Sequence, residues 1–193
     1  MALRIALERQ LFLLGEAEDV EVWRKKNEIV ELLKQNPKQQ IALWVCARGG
    51  SIELAIDFYY WVKTERIPLV TIAGAEVSSS TLYIFLAGQR RLAFPVAKFF
   101  VHKPGLEKSS AKVSLRPAEQ RGLRLFTKDA QDIIYRESKL SRATVEQLFR
   151  HERYYQVSEV SQWGVIDKLL STPPTNKELV ETLQQRGKIR IVR

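Results

Sequence analysis

The chain has a single cysteine, Cys46, in 193 residues. One thiol excludes an intrachain disulfide framework and leaves no cysteine cluster for zinc. Its place at the end of an apolar run reads as a buried strand position rather than a reactive thiol. Histidine is nearly as scarce, with only His102 and His151. No apolar stretch is long enough to span a bilayer, and Met1 to Glu8 lacks the long apolar core of a signal peptide. A cytoplasmic protein is the expectation. No internal repeat is present. Acidic residues are the minority charge: Asp+Glu number 22 against 31 Lys+Arg, a formal net charge of +9. The basic residues are scattered, which describes a solvated basic surface. A nucleic-acid partner would rest on net charge alone.

What is present suits one sizeable domain with a real core, at 45% hydrophobic and 27% charged residues. Gln10 to Leu14 reads as a strand ended by Gly15, and Asp19 to Gln35 as a helix stopped by Asn36-Pro37. Gln40 to Cys46 is a strand bounded by Arg48-Gly49-Gly50. Ser51 can cap the helix that follows, whose buried face is Ile52, Ala55, Ile56, Tyr59, Tyr60 and Val62. Leu69 to Ala73 is the next strand. Ser79 to Ala87 is a helix apolar nearly all round, hence central, with Gly88 as its C′ stop. Arg91 to Phe94 and Lys98 to His102 are short strands separated by Pro95. Alternating strands and helices argue an α/β fold with a parallel sheet and right-handed crossovers. The second half changes character. Pro117 to Leu140 is one long charged helix, Ser141 to Arg150 another, and Val157 to Trp163 a short one stopped by Gly164. Val165 to Asp167 reads as a last edge strand. Residues 1–170 are taken as one domain, and 171–193 as a linker, a short helix and a basic tail.

Three chemical features follow in order, each at the C-terminal end of a strand, where sites form in parallel α/β folds. Gly49-Gly50-Ser51 can approach a substrate closely and offer N–H groups. Ser78-Ser79-Ser80 opens a buried helix, whose free N–H groups and positive dipole end favour an oxyanion. The imidazole of His102 can take a hydroxyl proton and return it to a leaving amine. Nucleophile, base and oxyanion donors are the parts that acyl transfer needs.

Together, Gly49-Gly50-Ser51, Gly74-Ala75-Glu76-Val77-Ser78-Ser79 before Leu86-Ala87-Gly88, and Phe99-Phe100-Val101-His102-Lys103-Pro104 resemble the Clp protease proteolytic subunit, within the Clp/crotonase superfamily. Arg9 to Gly15 is similar to that family's first strand, and Trp163-Gly164-Val165-Ile166-Asp167-Lys168-Leu169 to its close, so the likeness covers about residues 9–170. It implies repeated ββα units with a protruding long helix, here Pro117 to Leu140, and a homo-oligomeric ring. It also implies a serine peptidase acting on peptides or unfolded protein, without metal or organic cofactor. Counting back from Leu86-Ala87-Gly88 places the family's nucleophile on Ser79; counting forward from Gly74 places it on Ser78. The buried helix fixes register better, so Ser79 is preferred, with the N–H groups of Gly50 and Ser80 forming the oxyanion hole. His102 matches the base. The third member falls on Glu152, a glutamate where the family has aspartate, with Arg153 a competing partner and His151, Asp129 and Asp132 as weaker alternatives.

Other departures bear on function. Glu76 beside the serine turn fits either a contact to a substrate cation or a loss of hydrolysis. The segment 105–114 is poor in glycine and carries Lys108 and Lys112, which would shift preference toward acidic peptides. Few residues precede the first strand, which argues against a Clp-type ATPase partner. The rival expectations are a catalytically inactive Clp-like subunit for assembly or regulation and, ranked lower, a crotonase-type acyl-CoA enzyme.

Overall fold

The computed structural model describes residues 5–105 and 116–170. In chain order the elements are β1 (Gln10–Ala17), α1 (Asp19–Gln35), β2 (Ile41–Gly50), α2 (Ile52–Thr64), β3 (Leu69–Ser78), α3 (Thr81–Leu86), β4 (Arg90–Ala93) and β5 (Lys98–Val101). They continue with α4 (Pro117–Glu137), α5 (Arg142–His151), β6 (Arg153–Gln156), α6 (Val157–Gln162) and β7 (Lys168–Leu169). Strands β1-β2-β3-β4-β7 lie side by side, all parallel. β5 joins β3 in parallel and carries β6 antiparallel on its other edge.

The central strands run longer than their apolar cores. β3 pairs β4 through Val70 to Ala73 and β5 through Glu76 to Ser78. Between these stretches its register to β2 jumps: Val45 faces Ala73, but Ala47 already faces Val77. One segment therefore serves as two strands before its helix, the ββα pattern expected. Apolar patterning ends β3 at Ala73 because Gly74, Ala75 and Glu76 are not strand formers; the strand nonetheless resumes pairing at Glu76 with Lys98 of β5 and at Val77 with Ala47 of β2. For the same reason Gly15 lies inside β1 rather than ending it.

Ile41, Leu43, Val45, Leu69 and Ile72 are fully buried, and every residue of α3 is buried. Each such Ile, Leu or Phe contributes roughly 1.5–3 kcal/mol of transfer free energy. Phe85 of α3 meets Phe99 of β5 edge to face at 5.5 Å. Ser51 caps α2 by accepting the Leu54 N–H at 3.2 Å, and Ser141 caps α5 through the Thr144 N–H at 3.1 Å.

Three local expectations change. On α2, Phe58 is buried whereas Tyr60 is 38% exposed, because the helix turns Phe58 toward the core. Gly88 is not a left-handed stop: a Cβ there would lie 2.3 Å from Thr71 Oγ1. Thr71 donates to the Phe85 carbonyl at 2.7 Å, so α3 ends against β3 and needs a glycine for the close approach. The last strand is β7 rather than Val165 to Asp167, because the chain first meets β4 at Asp167, whose N–H donates to the Arg91 carbonyl at 2.8 Å. The expected helix and tail beyond 170, and most of 105–114, lie outside the described residues.

α4 spans roughly 30 Å at 1.5 Å per residue and buries only Ala130, Ile133 and Ile134. Its first half therefore projects, with Leu125 56% exposed. Its far end is anchored by Glu137, which accepts Tyr59 Oη at 2.7 Å and Lys63 Nζ at 2.9 Å and pairs with Arg91. Burial pushes the Glu137 carboxyl up, but hydrogen bonds from Tyr59 and Lys63 and the charges of Lys63 and Arg91 outweigh it and hold it low. Glu137→Gln should cost about 2 kcal/mol at neutral pH, the scale of a charge-assisted hydrogen bond. Because the native pKa is depressed, the carboxylate's advantage is complete above the unfolded value of about 4.3 and disappears as pH falls through the native one. Denaturant melts of both proteins should differ at pH 7 and converge in acid; a gap that stays constant with pH would contradict this.

Candidate active site

The end of β3 turns sharply into α3. Ser79, at the turn, has φ +56°, left-handed for a residue with a side chain, a strain of order 1–3 kcal/mol that surrounding contacts must hold. They do so from three sides. The Ser79 N–H donates to the Phe100 carbonyl at 2.9 Å, and Thr81 Oγ1 donates to the Ser78 and Ala47 carbonyls at 2.6 and 3.0 Å. Ser78 itself is turned away, its Oγ donating to Glu76 Oε1 at 2.7 Å. Ser79 Oγ is thereby directed at His102, whose Nε2 lies 2.6 Å away.

Glycine is required behind the serine. A Cβ on Gly49, which has φ +126°, would fall 2.8 Å from Ser79 Cβ, and one on Gly50 would fall 1.9 Å from the Ala17 carbonyl oxygen. The missing side chain at Gly49 lets the two turns converge, and the one at Gly50 lets β2 lie against the end of β1. Ser80 is buried at the first turn of α3, where backbone N–H groups have no intrahelical acceptor. Ser79, Ser80, His102, Gly49, Gly50 and Tyr83 line one cleft of about 680 Å³.

A family model described as Clp protease matches residues 1–173. The chain belongs to the Clp protease family. It is similar to ATP-dependent Clp protease proteolytic subunit 3 of Rhodococcus jostii (strain RHA1), at 22% identity over 174 residues covering 89% of this chain and 86% of that protein. Its fold is similar to that of a ClpP1 point mutant from Listeria monocytogenes, with a TM-score of 0.73 over 86% of this chain and 92% of the other. At 15% identity that likeness concerns the fold alone. Family membership supports a Clp-like peptidase. Among the described residues no helix is long and apolar enough to cross a membrane, and no three His, Cys, Asp or Glu side chains cluster as a metal site would require.

Within this Clp protease fold, Glu152 has an instructive place. β5 and β6 pair Phe100 with Tyr154 and Val101 with Arg153. The pairing ends at Val101 and Arg153, and His102 and Glu152 are the residues that flank it, Glu152 as the C-cap of α5. Glu152 itself is exposed, has φ +29°, and makes no hydrogen bond to His102 in this structure. Arg153 does not claim it: its guanidinium pairs with Glu159 at 2.8 Å. Of the weaker acids, Asp132 is engaged by Arg142 at 2.7 Å, and Asp129 and His151 are exposed on α4 and α5. The sequence pattern does not reveal β6, since four residues wedged between two helices give no periodicity. The paired Tyr154-Tyr155 was the available signal.

The cleft rim holds Glu16, Glu18, Asp19 and Glu53 beside Arg48. That balance is opposite in sign to the lysines behind the expected preference for acidic peptides, and Lys108 and Lys112 lie outside the described residues.

Proposed function

We propose that this Clp protease family member is a serine peptidase that cleaves peptide bonds through an acyl-enzyme. The observation that carries the reading is the 2.6 Å approach of Ser79 Oγ to His102 Nε2, within the range of a strong O–H···N bond and on a strained strand-to-helix turn. Ser79 Oγ adds to the carbonyl carbon while its proton passes to His102 Nε2. The carbonyl oxygen becomes an oxyanion, held by the N–H groups of Gly50 and Ser80. Collapse expels the amine, which takes the proton from His102 and leaves an ester on Ser79. A water that gives its proton to His102 then hydrolyses the ester and restores the serine. Glu152 serves the other ring nitrogen, fixing the tautomer and stabilising the imidazolium. No metal or organic cofactor is needed for these steps. The projecting half of α4 supports a homo-oligomeric ring, with contact between rings made through that helix.

The geometry favours Ser79 over Ser78, because Ser78 Oγ is committed to Glu76. Fluorogenic-peptide hydrolysis by the two alanine variants separates them. Ser79→Ala should lose about 10⁴-fold or more in kcat, whereas Ser78→Ala should lose no more than about tenfold, the size of one hydrogen bond. The reverse ranking would move the nucleophile to Ser78.

A further inference from the structure

Glu76 takes no part in the steps above, yet it is wired to both halves of the site. Its Oε1 accepts Ser78 Oγ at 2.7 Å and Tyr154 Oη at 2.9 Å. Ser78 directly precedes the strained Ser79, so its bond to Glu76 pins the chain at the turn. Tyr154 leads to the base. Its ring lies 4.7 Å from that of Phe100, tilted by 36°, and Phe100 stacks on His102 at 5.2 Å and 26°. The backbone registers agree with this path: Ser78 faces Phe100 across β3–β5, and Phe100 faces Tyr154 across β5–β6. His102 needs such support. It lies one residue beyond β5, and among the described residues its hydrogen bond is to Ser79. A ring held by one bond and one stacking face is free to turn unless that face is itself fixed. Glu76 is suited to fix it. The Ser78 hydrogen bond, helped by Tyr154, Arg48 and Lys98 against some burial, holds its carboxyl below the usual range. An ionised carboxylate only accepts, which sets the direction of both hydroxyls.

We propose that Glu76 and Tyr154 form a clamp that positions His102 against Ser79. The Glu76–Ser78 bond holds the serine turn, and the Glu76–Tyr154 bond holds the aromatic stack beneath the imidazole. The clamp rests on the reading of Ser79 and His102 as nucleophile and base, and Glu76 and Tyr154 are positioning residues that touch no reacting atom.

Tyr154→Phe removes the hydroxyl and keeps the ring. It should lower kcat on a fluorogenic peptide about tenfold, the scale of one charge-assisted hydrogen bond, with KM within about twofold. Glu76→Ala should lose at least as much, since it also frees Ser78, and the double variant should be no worse than Glu76→Ala, because removing Glu76 already cuts its link to Tyr154. Glu76→Gln, whose amide oxygen can still accept both hydroxyls, should restore kcat to within about threefold of the parent. A second readout needs no turnover. With two histidines in the chain, ring resonances of ¹⁵N-histidine-labelled protein separate His102 from His151. Tyr154→Phe and Glu76→Ala should shift or broaden the His102 signals and leave those of exposed His151 in place. Parent-like kcat and an unmoved His102 resonance in Tyr154→Phe would overturn the clamp. So would a loss confined to KM, which would make Glu76 and Tyr154 substrate contacts, or losses that multiply in the double variant. A parent that neither hydrolyses peptides nor reacts with a fluorophosphonate would instead overturn the catalytic reading of Ser79 and His102, and the resonances would still decide whether the clamp holds the ring.

Discussion

His102→Ala should reduce peptide hydrolysis by about 10⁴- to 10⁶-fold, the range found when the base of a serine triad is deleted. The serine hydroxyl is a weak nucleophile until its proton has somewhere to go, and His102 Nε2 is the base within 2.6 Å of it. Reaction with a fluorophosphonate should slow in the same variant, because that reagent needs the same activated oxygen. The fold should barely respond. His102 is half-buried beyond the end of β5, and its stack on Phe100 contributes on the order of 1 kcal/mol. Thermal melts and assembly size should therefore match the parent. Unchanged hydrolysis in a folded variant would remove His102 from the mechanism, and loss of folding would make its role structural.

Glu152→Gln should slow hydrolysis by about 10²- to 10⁴-fold. The substitution keeps size and polarity but removes the charge that favours the imidazolium and the acceptor that selects the tautomer. The expectation rests on position: β5 and β6 pair up to Val101 and Arg153, and His102 and Glu152 are the residues that flank that last pair. Glu152 makes no bond to His102 here, so the loss should be largest in kcat of the assembled, substrate-bound protein and small in stability. The comparison is made at matched oligomer size. Activity within about twofold of the parent would mean that Ser79 and His102 work as a dyad, and Glu152 would then be a surface carboxylate at the end of α5.

Much of this site was legible because its parts sit where local pattern is strong. Gly49-Gly50, the serine run and His102 each follow an apolar strand, and the nearly all-apolar α3 sets the count that favours Ser79 over Ser78. Ser51 was readable as a cap because a hydroxyl before an apolar-periodic run has one common use. What could not be read was set by partners distant in sequence. β3 resumes from Glu76 to Ser78 only because β5 and β2 offer it partners there. β6 exists only because β5 offers it an edge. Without β6 there was no way to see that Tyr154 reaches Glu76, or that Arg153 turns to Glu159 and leaves Glu152 unclaimed. Gly88 stands at C′ of α3 as read, but the reason for a glycine was hidden: its constraint is Thr71, on another strand.

The most direct test of the central claim is the intact mass of the assembled protein after exposure to a fluorophosphonate at pH 8, followed by peptide mapping. The expected result is one adduct per chain, on Ser79, absent from Ser79→Ala and strongly slowed in His102→Ala. An adduct on Ser78, or none on a correctly assembled protein, would contradict it.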